Sequence, residues 1–391
     1  MCDVGGAFKA AARVALRTRT PAMPHSPPPT ALLAVGTYTE PMPHVNGQGS
    51  GIHLLRFDGD AGRFGAETVT GGRRNPTYLA ASATGDRLYA VCEIDAAAQP
   101  TMEAYAVDPA ALTLTHLASV PIAGGWPCHV SLNEPAGHLY ISNYESGSFV
   151  VMALDAAGCP TGAADLIQRQ GSGPRADRQE APHGHCALPS PDGRYLFLCD
   201  LGTDAIARHP IADGRVAAEP DLTIAAPPGA GPRHIAFSPS GRSLLAIHEL
   251  SSTITLHGAD DPARILAEIS TLPPEWSGAS SCAAIRVHPS GQFVYASNRG
   301  HDSVFAARLN EAAGRLQPIG TMPSGGRTPR DIAITPDGRF LLAASQDEHR
   351  ITVFAIDPAT GVLTATGHDH RLNSPVCLCF IPSALAAAAA P

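Results

Sequence analysis

Six segments of this chain share one form, in which a β-rich stretch reaches a glycine turn and then runs into an apolar strand. They are SATGDRLYAVCE, NEPAGHLYISNY, PSPDGRYLFLCD, SPSGRSLLAIHE, HPSGQFVYASNR and TPDGRFLLAASQ. The turn glycines, Gly85, Gly137, Gly193, Gly241, Gly291 and Gly338, follow one another at 47 to 56 residues. That is close to the ~40–50-residue period of a four-stranded propeller blade. A unit of this length cannot bury its apolar face alone, so neighbours must stack and the array must close or be capped.

Within each unit the strand before the turn alternates (HIAFSPSG, DIAITPDG) and the strand after it is nearly all apolar. An uninterrupted apolar run is what a strand buried on both faces requires, as in a blade held between two others. Glycine supplies the positive φ of the hairpin turn. The outermost strands should then be polar.

Six anchors leave the ends unassigned: ALLAVGTYTE and GIHLLRFD at the start, PVCLCFIP near the finish. These predict terminal strands that complete a seventh blade together. The expected fold is therefore all-β, a seven-bladed propeller of four-stranded blades over residues 30–385, with six or eight blades as the alternatives. Closure also accounts for 391 residues in one domain, where ordinary single cores stop growing near ~250–300. Residues 1–29, basic and then Pro-rich, read as a disordered extension, with a targeting segment or an upstream start before Met23 as other readings. Residues 386–391 read as a disordered Ala-rich tail.

The net charge of −8 and the lack of any Lys/Arg run exclude long-range attraction to nucleic acid or an anionic membrane. No stretch approaches the ~18 apolar residues of a span. Nine cysteines without CxxC spacing fit reduced thiols in a cytoplasm. A monomer or weak homodimer is expected, with no obligatory cofactor.

In a propeller, the loops entering the innermost strands gather at one mouth of the central channel. Here they read Asn75-Pro76-Thr77, Pro127-Cys128-His129, Pro182-His183-Gly184-His185, Pro232-Arg233-His234 and Pro329-Arg330-Asp331, with Ser280 and Ser281 in the sixth blade. The next strands end on Glu93, Asn143, Asp200, Glu249, Arg299 and Gln346. Polar residues at repeat positions often tie blade to blade. A tie should recur as the same residue, however, and His129, His183, His185, His234, Arg233, Arg299 and Arg330 differ between blades, which suggests a ligand. His183-x-His185 could ligate a metal, but alternate strand positions project apart, so no metal is expected. Glu249 could serve as a base if a partly dry mouth raises its pKa; the competing reading is a salt bridge to Arg233 or Arg299. No Gly-x-Ser-x-Gly elbow supports a serine nucleophile.

At GTYT (36–39), HGHCALPSPDGRYLFLCDLGTD (183–204), GPRHIAFSPSGRSLLAIHELSST (231–253), HPSGQFVYASNRGHDSV (288–304) and TPRDIAITPDGRFLLAASQ (328–346) the chain resembles the lactonase family of seven-bladed propellers. That family contains cycloisomerase-type bacterial 6-phosphogluconolactonases and the fungal carboxy-cis,cis-muconate lactonizing enzyme. The resemblance implies His185, Arg233, Glu249 and Arg299 as catalytic residues, and His183, His234, Arg330 and His129 as substrate-binding ones. It implies hydrolysis of a small anionic sugar lactone, 6-phospho-D-glucono-1,5-lactone, with Glu249 or His185 as base and Arg233 and Arg299 holding the anionic group. One departure is Ala284, where the family often has Glu. The alternatives are a cycloisomerase acting on a carboxymuconate and a propeller that binds without catalysis.

Overall fold

The computed structural model describes residues 1–2 and 30–382; the expected basic extension past residue 2 and the Ala-rich tail lie outside the described residues. Seven small antiparallel sheets stand in a ring, six of four strands and one with a fifth, short strand. The innermost strands are Pro375–Ile381 in blade 1, Pro76–Ala81 in blade 2, Pro127–Asn133 in blade 3 and Gly184–Pro189 in blade 4. Pro232–Phe237, Ser281–Val287 and Pro329–Ile334 follow in blades 5, 6 and 7. Each touches the next around the channel, and Pro375–Ile381 touches both Pro76–Ala81 and Pro329–Ile334, so the ring is closed. Among the described residues the only helical elements are three 3-10 turns, and no helix is long and apolar enough to cross a membrane, which says nothing of crossing by strands.

Blade 1, the one outside the six repeats, is built from both ends of the chain, as expected. Pro375–Ile381 pairs antiparallel with Thr30–Thr37, which pairs with Ile52–Asp58, which pairs with Arg63–Thr70. Between Thr37 and Ile52 the chain inserts a small hairpin, Pro41–Met42 with Val45–Asn46, over the channel mouth.

The six repeat glycines have φ between 66° and 75°, the left-handed conformation their turns demand. The strand after each turn is buried along nearly its whole length, as in Ser243–His248. The fourth strands are exposed at alternate positions, as in Thr113–Pro121. The core is a series of apolar seams between adjacent blades. Leu33, Val35, Leu55 and Phe57 of blade 1 pack on Leu342, Ala344, Ile351 and Val353 of blade 7. Each such side chain stabilises the fold by about 1.5–3 kcal/mol on full burial, so the seams hold the ring and leave the channel free for polar groups.

Candidate functional site

One irregularity, repeated in every blade, builds the channel mouth. At the start of each innermost strand the pairing register skips, leaving one extra residue. Pro76 opposes Cys92 while Tyr78 opposes Val91. Pro127, Gly184, Pro232 and Pro329 behave alike, and blade 6 skips between Cys282 and Ile285. These are β-bulges, which re-aim a side chain where they interrupt a ladder. The bulged residues include Thr77, Cys128, His185, Arg233 and Arg330. Cys128, His185 and Arg330 line a cleft of about 590 Å³. Thr77 and Arg233 bond the carboxylates that border it.

Those carboxylates stand at the far end of the second strands. Glu249 is buried and clamped by three guanidinium groups. Its Oε2 accepts from Arg233 Nε at 3.0 Å and is ion-paired with Arg299 Nη2 at 2.7 Å, and its Oε1 accepts from Arg178 Nη2 at 2.6 Å. Burial alone would raise its pKa, but Arg299, Arg233 and Arg178 outweigh it and hold the carboxyl well below the usual range. The raised pKa that would make Glu249 an effective base is therefore corrected: the salt-bridge reading holds, twice over. Arg233 donates also to the Ala283 carbonyl at 2.6 Å, and burial, followed by the nearby Arg299, lowers its pKa to about 10.

Glu93 anchors the other wall. It accepts from the Tyr38 hydroxyl at 2.8 Å and the Thr77 hydroxyl at 2.7 Å, while Arg330 Nη2 donates to Tyr38 Oη at 2.8 Å. Burial holds the Tyr38 phenol protonated and lowers His44, carried on the inserted hairpin, to about 4. An aromatic arc joins the walls: His183 stacks on Tyr144 at 4.4 Å, Tyr144 on Trp126 at 6.3 Å, Trp126 meets His44 at 5.8 Å, and His44 meets Tyr38 at 5.6 Å. Arg178, Arg233, Arg299 and Arg330 face two buried carboxylates, Glu249 and Glu93, and the exposed Asp177 on the rim is paired with Arg175, so the site carries excess positive charge suited to an anion.

His185 lines the cleft with its Nδ1 3.8 Å from Cys128 Sγ. Burial, then Arg233, pushes its pKa well below 6.5, leaving a neutral imidazole at neutral pH. Burial raises the Cys128 thiol, which disfavours a thiolate nucleophile there.

The expected residues separate into three groups. His185, Glu249, Arg299 and Arg330 line the cleft, and Arg233 lies behind Glu249, so it does not present a fork to a ligand. His183 bonds the Tyr144 carbonyl and Glu180 and supports the rim. His129 and His234 are placed otherwise than expected: they sit deeper in the channel with Tyr78 and Arg286, lining a second cavity. Each lies one residue past a bulge, so its side chain follows the strand into the channel. Ala284 is packed between blades with Phe293, Tyr295 and Ile332, outside the cleft. Asn143 and Asp200 are structural within their own blades, bonding Ser148 and the His183 backbone.

Sequence reasoning missed Arg178, Tyr38, Tyr144 and His44 as members of the site. Arg178 lies in residues 169–183, the longest connection between one blade and the next, and a long structured loop is itself a functional signal.

Residues 32–380 match the family described as Lactonase, 7-bladed beta-propeller. A 6-phosphogluconolactonase of Bacillus subtilis (strain 168) is 31% identical over 350 residues, covering 89% of this chain and 97% of the relative. A 6-phosphogluconolactonase of Formosa agariphila is 30% identical over 335 residues, 84% of this chain and 93% of that one. The periplasmic gluconolactonase structure from Pseudomonas aeruginosa superimposes with a TM-score of 0.82 at 28% identity, over 90% of this chain and 99% of that one.

Proposed function

The chain belongs to the lactonase family of seven-bladed β-propellers, and from that premise we propose that it hydrolyses 6-phospho-D-glucono-1,5-lactone to 6-phosphogluconate. The observation that carries this reading is the positively charged cleft in which three arginines hold Glu249 ionised beside a neutral His185.

Opening a lactone requires water made nucleophilic, charge stabilisation as the carbonyl oxygen becomes an oxyanion, and a proton for the departing ring oxygen. A neutral imidazole can do the first and last: His185 takes a proton from water as its oxygen attacks the carbonyl, then returns it to the ring oxygen as the C–O bond breaks. General acid–base help of this kind contributes about 10²–10⁴-fold. Arg299 places fixed positive charge in the cleft for the developing oxyanion, worth about 10²–10³-fold where comparable donors have been removed. Glu249 orders the arginines, and with both oxygens engaged by guanidinium groups it has none free to take a proton from water. A place in the pentose phosphate pathway, a cytoplasmic location and a monomeric or weakly dimeric state belong to the same proposal.

The test is hydrolysis of freshly generated 6-phosphogluconolactone, measured above its spontaneous rate, with glucono-1,5-lactone in parallel. Wild-type protein should accelerate the reaction, and His185→Gln should lose about 10²-fold or more in kcat. Wild-type protein no faster than buffer with either lactone would overturn the reading and bring lactone formation from a carboxymuconate to the front.

A further inference from the structure

The three arginines on Glu249 are not equivalent. Arg233 is almost fully buried, and its Nε and Nη1 are engaged by Glu249 and the Ala283 carbonyl. Arg299 has a side-chain exposure of 16% and, like Arg178, makes its contacts through Nη2 alone, to Glu249 and the Cys282 carbonyl, but its unbonded Nε is enclosed rather than open to the cleft. Arg178 is 36% exposed and makes both its bonds, to Glu249 and to Tyr144 Oη at 3.2 Å, through Nη2. Its Nε and Nη1 have no protein partner among the described residues.

The two walls differ in charge as well. Around Glu249 three guanidiniums face one buried carboxylate, the exposed Asp177 beside them being paired with Arg175 at 3.7 Å, whereas Arg330 has Glu93 at 3.9 Å and the Tyr38 hydroxyl as its counterpart. One wall is cationic and the other close to balanced. A phosphate monoester carries about −1.5 to −2 charges at pH 7, and a polyol carries none.

We propose that Arg178 is the phosphate receptor of the cleft, so that a phosphorylated lactone enters with its phosphate against the Glu249 wall and its hydroxyls toward Arg330 and Glu93. The inference rests on the lactonase reading and adds its specificity. Both two-nitrogen edges of the guanidinium include the engaged Nη2, so its Nε–H and Nη1–H each remain to give one charge-assisted hydrogen bond to a phosphate oxygen. Tyr144 and Glu249 hold the guanidinium in place before the ligand arrives.

The test compares kcat/KM for 6-phosphogluconolactone with that for glucono-1,5-lactone in wild type, Arg178→Lys and Arg178→Ala, together with calorimetric binding of 6-phosphogluconate and gluconate. Because Arg178 touches Glu249, a general disturbance of the cluster lowers both rates and leaves their ratio alone. The proposal expects the ratio to fall about 10- to 100-fold in Arg178→Ala, with a matching loss of 6-phosphogluconate affinity and an intermediate Lys variant. An unchanged ratio overturns it, as does a wild type that hydrolyses glucono-1,5-lactone with no preference for the phosphorylated form, which leaves the lactonase reading standing. If neither lactone is hydrolysed, that reading falls and binding alone decides: 6-phosphogluconate affinity lost in Arg178→Ala supports the receptor, and affinity retained removes it.

Discussion

Arg233 cannot be understood apart from Glu249. Replacing the carboxylate by Glu249→Gln leaves a buried guanidinium without its counter-charge, a change that costs about 3–5 kcal/mol, so denaturant unfolding of this variant should show a midpoint well below wild type as well as lost activity. Acid should act on the fold through the imidazoles before it acts through the carboxylates. His185 and His234 are held neutral by burial and by Arg233, and His248 is lowered to about 3 by burial and His257. Below pH ~6.5 the unfolded chain binds protons that these sites refuse, so stability falls as pH drops from there. Glu249, with its depressed pKa, adds its own loss only as pH falls below about 4.5. Equilibrium unfolding at pH 7.5 and 5.5 measures the first effect, and equal midpoints would contradict it. For the same reason the acid limb of the lactonase rate should lie below pH 6.5, where His185 finally protonates. At this scale the sequence was legible in part. His185, Glu249, Arg299 and Arg330 could be placed because they recur at blade positions. His129 and His234 were misplaced because a bulge reverses which of two adjacent residues faces the mouth, and no side-chain pattern announces a bulge.

The hairpin turns show how one element takes different burdens around the ring. Gly85 and Gly137 occupy the same turn with nearly the same φ, +71° and +66°. A Cβ on Gly137 would meet nothing within 4 Å, whereas one on Gly85 would lie 1.9 Å from the Pro382 carbonyl oxygen, where the last strand leaves the ring. Gly137→Ala should therefore cost only the left-handed strain, about 1–2 kcal/mol. Gly85→Ala should cost clearly more and loosen the closing strand; thermal unfolding of the two variants side by side gives the comparison, and equal losses would mean the closing strand yields freely. These turns were the most readable elements, since a positive φ selects glycine. The connection carrying Arg178 was legible only through its length, and the hairpin carrying His44 not at all, for the opposite reason: each occurs once, so no repeat marks what it does.

Ring closure makes the two ends of the chain one structural unit, and it decides how the molecule holds together as a whole. Thr30–Thr37 supplies the neighbour of Pro375–Ile381, and without that pair blade 1 would lose its innermost strand while blades 2 and 7 faced each other across a gap. The register places Ala34 directly opposite Cys379, and both belong to the apolar seam shared with Leu32, Leu79 and Cys377. Neighbouring antiparallel residues bring their side chains to one face at a separation a disulfide can span. Ala34→Cys should therefore cross-link to Cys379 on oxidation and close a loop over almost the whole propeller. In the chain-entropy account such a loop removes unfolded-state freedom worth about 6 kcal/mol, less any strain in the folded state. The oxidised variant should unfold at a higher denaturant concentration than the same variant in reductant, while wild type should respond to reductant little or not at all. If mass spectrometry finds no bond between residues 34 and 379 after oxidation, the ends are not held in the register that closes the ring; a bond formed without a rise in stability means that strain in the folded state offsets the entropy. A channel mouth drawn from seven blades depends on that closure: Tyr38 follows the first strand, Arg330 opens the last full blade, and the bond between them spans the seam.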